Sequence, residues 1–149
     1  MDAIERALTT NQKGEIAKLK VELRAAQKGW ITSRTIEGAS YDLVLDDGCR
    51  LYRAQVKYAS GKSVHSTGVV KVTLIRNNGD DRNMIYRRRK TKCYSAGEID
   101  VVLVYIPFVD NVCWFNADIF EGRPNLYVRY APARSNQKQG ITFAENHLW

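Results

Sequence analysis

Two short segments hold the residues that could do chemistry: residues 41–45 (YDLVL), with Asp42, and residues 51–58 (LYRAQVKY), with the run Gln55-Val56-Lys57. In an extended strand successive side chains alternate faces, so Arg53, Gln55 and Lys57 share one side, and Tyr52, Ala54, Val56 and Tyr58 take the apolar other. Asp46-Asp47-Gly48 between the two segments is a hairpin-turn signal, and the spacing predicts antiparallel pairing. The hairpin carries Asp42 toward the edge that presents Gln55 and Lys57. An acid, an amide oxygen and an ammonium then converge. That set suits hydrolysis of a phosphodiester, because a hard divalent cation takes oxygen ligands and a lysine stabilises charge on the attacking water or the pentacovalent phosphorus. Mg2+ is the natural ion, and no covalent enzyme intermediate is required. Taken singly, Asp46 and Asp47 read first as turn residues and Asp42 as a solvated strand acid; it is the spacing of the set that points to chemistry.

The elements that must hold these residues are legible around them. In residues 13–27 the apolar Ile16, Leu19, Leu23 and Ala26 recur at helical spacing, with Thr9, Thr10 and Asn11 as N-cap candidates and Gly29 as the exit. This stripe is expected to face the core, with Glu15, Lys18, Lys20 and Glu22 flanking or exposed. Residues 30–32 begin a strand, and further strands are expected at 69–75, 101–106, 112–115 and 126–129, with a turn at Asn77-Asn78-Gly79-Asp80. Trp30, Trp114, Phe115 and Cys113 read as core.

The 149 residues and 17.0 kDa imply one domain, residues 1–149. With 44% hydrophobic and 26% charged residues, disordered and fibrous classes are excluded. Lys and Arg total 23 against 16 Asp and Glu, a net charge of +7, which points to a polyanionic partner. Cys49, Cys93 and Cys113 are too few and too far apart for a disulfide framework or a CxxC zinc site, so a reducing compartment fits. Residues 1–8 lack a signal-peptide pattern and residues 101–109 are too short to span a bilayer; a cytoplasmic chain with no membrane partner is expected. His65 and His147 are isolated, which leaves zinc hydrolase and serine-histidine chemistry without support.

Residues 82–92 (RNMIYRRRKTK) form the densest positive run, with Arg82, Arg87, Arg88, Arg89, Lys90 and Lys92 around Tyr86. Such a run suits phosphate contact and arginine readout of guanine edges; a solvated loop is the ordinary alternative. Lys62, Lys71, Arg76 and Asn77 lie on a polar connection and extended hairpin that could reach a groove. Arg123, Arg129, Arg134 and Lys138 are weaker candidates.

Asp42, a turn and then Gln55-Val56-Lys57, preceded by a helix bearing the acid Glu15, resembles the PD-(D/E)xK nuclease motif. The segments KGEIAKLKVELRAAQKGW, ASYDLVLDDG, AQVKYA, GEIDVVLVYIP and NQKQGITFAE are similar to the branch containing cyanobacterial group I intron-encoded homing endonucleases, over nearly the whole chain. The resemblance implies a restriction-endonuclease-like α/β (α+β) fold, a central mixed β-sheet flanked by helices. It implies a double-strand break in DNA at an intron insertion site in a tRNA gene. Position by position, Asp42 matches the metal-binding acid, Gln55 the second acid, Lys57 the lysine and Glu15 the helix acid, with the Val56 carbonyl as a further metal ligand. Tyr41 stands where the motif has proline. Gln55 replaces a carboxylate by a neutral amide, which weakens cation binding unless Glu15 restores the charge. The implied cofactor is Mg2+, with Mn2+ substituting and Ca2+ supporting binding without cleavage. One active site cuts one strand, so a duplex break requires at least a dimer, and the resemblance implies a homotetramer on double-stranded DNA, nucleoid-associated when bound. Two alternatives stay open: a structure-specific nuclease of junction-resolvase or repair type, and a non-cleaving DNA-binding module whose site has decayed at Gln55.

Overall fold

Helix α1 (Thr10–Gln27) begins three residues earlier than the apolar stripe predicts, because Thr9 and Gln12 form a reciprocal capping box. The Thr9 hydroxyl accepts from the Gln12 N–H at 3.2 Å, and the Gln12 side-chain oxygen accepts from the Thr9 N–H at 2.9 Å. The helix ends at Gly29, whose φ of 76° is the left-handed turn that glycine adopts without strain. The expected core stripe is corrected. Ala17, Val21 and Ala25 are buried, whereas Leu19 and Leu23 are 57% and 55% exposed. Small side chains at i, i+4 and i+8 let the helix axis lie close to a sheet, and this close approach outweighs the larger apolar area of the leucines.

The computed structural model describes residues 7–61, 67–77, 91–132 and 139–149. After α1 come β1 (Ile31–Arg34), β2 (Leu43–Asp46), β3 (Leu51–Tyr58), β4 (Val69–Thr73), β5 (Ile75–Asn77), β6 (Thr91–Cys93), β7 (Val101–Ile106), β8 (Asn111–Asn116), a short α2 (Ala117–Phe120), β9 (Asn125–Arg129) and β10 (Thr142–Phe143). A five-stranded mixed sheet has the order β1-β2-β3-β7-β8, with β3 and β7 parallel and the other neighbours antiparallel. The expected β2–β3 hairpin is present: Asp47 Oδ1 accepts from the Cys49 and Arg50 N–H groups at 2.8 and 2.7 Å, and Gly48 has a φ of 92°. A three-stranded sheet, β10-β9-β4, and the β5-β6 ribbon complete the strands.

The strand expected at residues 69–75 is two strands. Leu74 is fully buried and gives its N–H to the Pro124 carbonyl at 2.9 Å, which takes it out of the ladder and sends β4 and β5 into different sheets. The five-stranded sheet is apolar on both faces. One face packs Leu43, Leu45, Ala54, Val56, Val101 and Leu103 against Ala17 and Val21 of α1. The other packs Val102, Val104, Ile106 and Phe115 against Val70, Val72, Leu126 and Val128 of the smaller sheet. Trp30, Tyr52, Trp114 and Trp149 form an aromatic cluster at the rim of the first layer, and Cys113 is buried in the second. The three cysteines are free. Among the described residues no helix is long and apolar enough to cross a membrane.

Candidate active site

The site is built where β2 begins. Asp42 precedes Leu43, and its Oδ2 accepts a hydrogen bond of 2.9 Å from the backbone N–H of Val56 on β3. That N–H belongs to the peptide joining Gln55 to Val56, so the carboxylate is pinned beside the segment that carries Gln55 and Lys57. The Asp42 backbone is fixed as well: its N–H donates to the Ala54 carbonyl at 2.9 Å, and its carbonyl accepts from the Thr35 N–H and hydroxyl, each at 3.2 Å. Thr35 also donates its hydroxyl to the Tyr41 carbonyl at 2.6 Å. An extended chain held at this many points cannot rotate the carboxylate away at low cost, which is the preorganisation a catalytic acid requires.

Strand alternation places Tyr52, Ala54, Val56 and Tyr58 in the layer against α1, as expected, with Gln55 and Lys57 on the other side. Burial pushes the Lys57 ammonium below the usual lysine range, and the negative charge of Asp42 opposes this. The ammonium lies 5.3 Å from the centroid of the Tyr94 ring, a cation–π position over a buried aromatic. A desolvated lysine beside a fixed carboxylate is the arrangement in which a proton or a developing negative charge is handled most strongly. Arg53, on the same strand, is committed elsewhere: its guanidinium meets Asp100 at 3.1 Å, and its N–H donates to the same carboxylate at 2.8 Å. Arg53 holds that carboxyl below the usual range.

Glu15, on α1, is placed against cations. Its carboxylate lies 2.7 Å from Arg34 and 3.1 Å from Lys18, and these bonds, Arg34 foremost, lower its pKa. Arg34 in turn reaches Glu22 at 2.6 Å, so one guanidinium spans two acids seven residues apart on the helix. Arg34 and Lys18 line a cleft of about 370 Å³ together with Thr35, Tyr41 and Asp42. Asp42 lines the cleft with Thr35 and Tyr41 and takes the Val56 N–H on its Oδ2; a carboxylate is a hard oxygen ligand, which fits a hard divalent cation. Among the described residues no three His, Cys, Asp or Glu side chains gather as a metal site.

Of the expected DNA contacts, Lys71 is exposed on β4, and Lys92 on β6 forms an ion pair with Glu98. Arg76 and Asn77 fall in β5, in register with Lys92 and Thr91. Lys62, Arg82, Tyr86, Arg87, Arg88, Arg89 and Lys90 lie outside the described residues, as do His65, Arg134 and Lys138. Sequence reasoning missed Arg34, Thr35 and Tyr94. Only Arg34 left a trace, in the seven-residue spacing of Glu15 and Glu22, which sets two acids on one helix face opposite a single cation.

A family profile described as PD-(D/E)XK endonuclease matches residues 8–149. Among solved structures, the chain is similar to a bacterial homing endonuclease, I-Ssp6803I, with a TM-score of 0.75 and 22% identity over 95% of this chain and 89% of that one. It also matches Hjc of Archaeoglobus fulgidus, a Holliday junction resolvase from an archaeal hyperthermophile, with a TM-score of 0.47 and 13% identity over 78% of this chain and 84% of that one. No curated protein sequence matches.

Proposed function

For a chain that belongs to the PD-(D/E)XK endonuclease family, we propose a site-specific homing endonuclease that breaks double-stranded DNA at an intron insertion site in a tRNA gene. The observation that carries the hydrolytic reading is the 2.9 Å hydrogen bond from the Val56 N–H to Asp42, which fixes the acid beside Gln55 and the desolvated Lys57. The choice of a homing target rests on the resemblance of the ASYDLVLDDG, AQVKYA and GEIDVVLVYIP segments to intron-encoded enzymes.

Asp42, the Gln55 amide, the Val56 carbonyl and Glu15 would hold the divalent ion, Mg2+ by preference, with Mn2+ able to replace it and Ca2+ supporting binding alone. When bound, the ion supplies Lewis acidity toward the phosphodiester. The protein supplies the rest. Asp42 keeps its orientation through the Val56 N–H, so its position is set before substrate arrives. Lys57, half-buried and within the field of that carboxylate, stabilises negative charge as the phosphorus becomes pentacovalent and holds the attacking water by hydrogen bonding. Because one chain contributes one such site, the duplex break is made by a homo-oligomer, a two-fold dimer at least and a homotetramer by resemblance. Each chain is a single domain, and it works in the cytoplasm on the nucleoid.

The experiment is a plasmid bearing the intronless tRNA-gene junction, incubated with Mg2+ or with EDTA, beside a Lys57→Ala control and a branched-junction substrate. A single cut that needs Mg2+ and is slowed by about 10²–10³-fold in the variant is expected, with specific binding retained. Cutting of the branched substrate alone would overturn the homing target; binding without cutting under Mg2+ or Mn2+ would overturn hydrolysis.

A further inference from the structure

Glu15 sits in a bind. If it is to supply the charge that Gln55 lacks, it must meet the ion at Asp42, yet its carboxylate is held by Arg34 at 2.7 Å and Lys18 at 3.1 Å. Those two cations are also the ones that line the cleft beside Asp42. Arg34 pairs in register with Leu43, the residue after Asp42, so its backbone is part of the same sheet edge. The ion pairs are partly exposed, with side-chain exposures of 40% for Arg34 and 51% for Glu15. Exposed pairs of this kind are weak and exchange partners readily. A DNA phosphate, itself a bidentate acceptor for a guanidinium, is a suitable replacement partner for Arg34.

We propose that Arg34, assisted by Lys18, is a positioning residue that keeps Glu15 out of the metal site until a backbone phosphate of DNA draws the two cations away. Metal loading is thereby coupled to DNA engagement. The inference rests on the nuclease reading above, with Glu15 as the helix acid. Its logic is reciprocal: whatever gain in metal affinity DNA confers, the metal confers on DNA. Glu22, the other anchor of Arg34 at 2.6 Å, sets the direction from which the guanidinium reaches Glu15.

The test is calorimetric titration of the whole protein with Mn2+ alone, without DNA, and then with a saturating 30-base-pair duplex of arbitrary sequence. Arg34→Met is expected to bind Mn2+ up to about fivefold more tightly than the native chain, the most that release from an exposed ion pair gives. Lys18→Gln, on the helix surface, should move affinity the same way by a smaller factor, and it serves if Arg34→Met fails to fold. Arg34→Lys, which keeps the charge but cannot span Glu15 and Glu22, should give an affinity between the native chain and Arg34→Met. Adding Glu15→Gln to Arg34→Met should erase the gain; a gain that persists would be general electrostatics and would overturn the proposal. Equal Mn2+ affinity in the native chain, Arg34→Met and Lys18→Gln would overturn it too. Duplex should tighten Mn2+ binding to the native chain and leave Arg34→Met nearly unchanged. Asp42→Asn separates the two failures: if it binds Mn2+ as well as the native chain, the nuclease reading itself fails; if it does not, only the role of Arg34 is in question.

Discussion

Lys57 is a residue whose usefulness and stability pull in opposite directions. Burial makes its charged form costly, and the lowered pKa is the measure of that cost. In the folded chain the proton leaves below the ordinary value of 10.5, so between the two values the unfolded chain binds more protons and stability rises with pH. Below the folded value the penalty is present in full; above 10.5 it is gone. Lys57→Met is therefore expected to raise Tm by about 2–4 °C near neutral pH, the shift that ~1 kcal/mol gives a chain of this size, while slowing cleavage by about 10²–10³-fold, as expected for Lys57→Ala. The gain should shrink as pH rises through that alkaline window, which differential scanning calorimetry at several pH values would show; a Tm that falls at neutral pH would mean that the attraction to Asp42 outweighs burial. The nearness of Asp42 to the strand carrying Lys57 was legible because strand alternation and a turn suffice to bring the two segments together. Tyr94 under the ammonium and Arg34 across from α1 were not, since both meet their partners through tertiary packing that no local spacing encodes.

At the scale of elements, the helix shows where hydrophobicity misleads. Leu19 and Leu23 lie on an open face, and Ala17, Val21 and Ala25 lie on the sheet. A sequence stripe ranks residues by apolar area, but a helix resting on a sheet is positioned by how near its backbone can come, and alanine permits the nearest approach. Leu19→Gln is thus expected to change unfolding free energy by no more than about 0.5 kcal/mol, whereas Ala17→Leu should destabilise by about 1–3 kcal/mol through overpacking. Urea denaturation of the two variants decides between the faces; the reverse order would return the core stripe to the leucines. The strands were more legible than the helix face. The segment of β3 was bounded correctly, since turn residues flank an alternating run. Residues 69–75 were not, because the break at Leu74 depends on a carbonyl of Pro124, some fifty residues away.

For the whole molecule the decisive quantity is the net charge of +7 and where it is uncommitted. Lys18, Lys20, Arg34, Arg53 and Lys92 each face a carboxylate, and a paired cation adds little to the field that a duplex feels. In the sequence the densest basic run is residues 82–92, whose DNA contact is a proposal. If that run contacts phosphates, its removal should act through released counterions and so weaken every duplex alike. Replacing Arg87, Arg88 and Arg89 by Gln lowers the net charge from +7 to +4, three charges fewer. The plot of log K against log salt should flatten by about 0.9 for each phosphate that is no longer neutralised, with target and unrelated duplexes affected equally. Base readout gives a different result. Loss confined to the target duplex, with the salt slope preserved, would assign these arginines to guanine edges in the major groove, where each good bidentate pairing carries about 1–3 kcal/mol of discrimination. Fluorescence anisotropy on both duplexes across a salt series separates the two, and an unchanged slope together with unchanged specificity would remove the run from the DNA surface altogether.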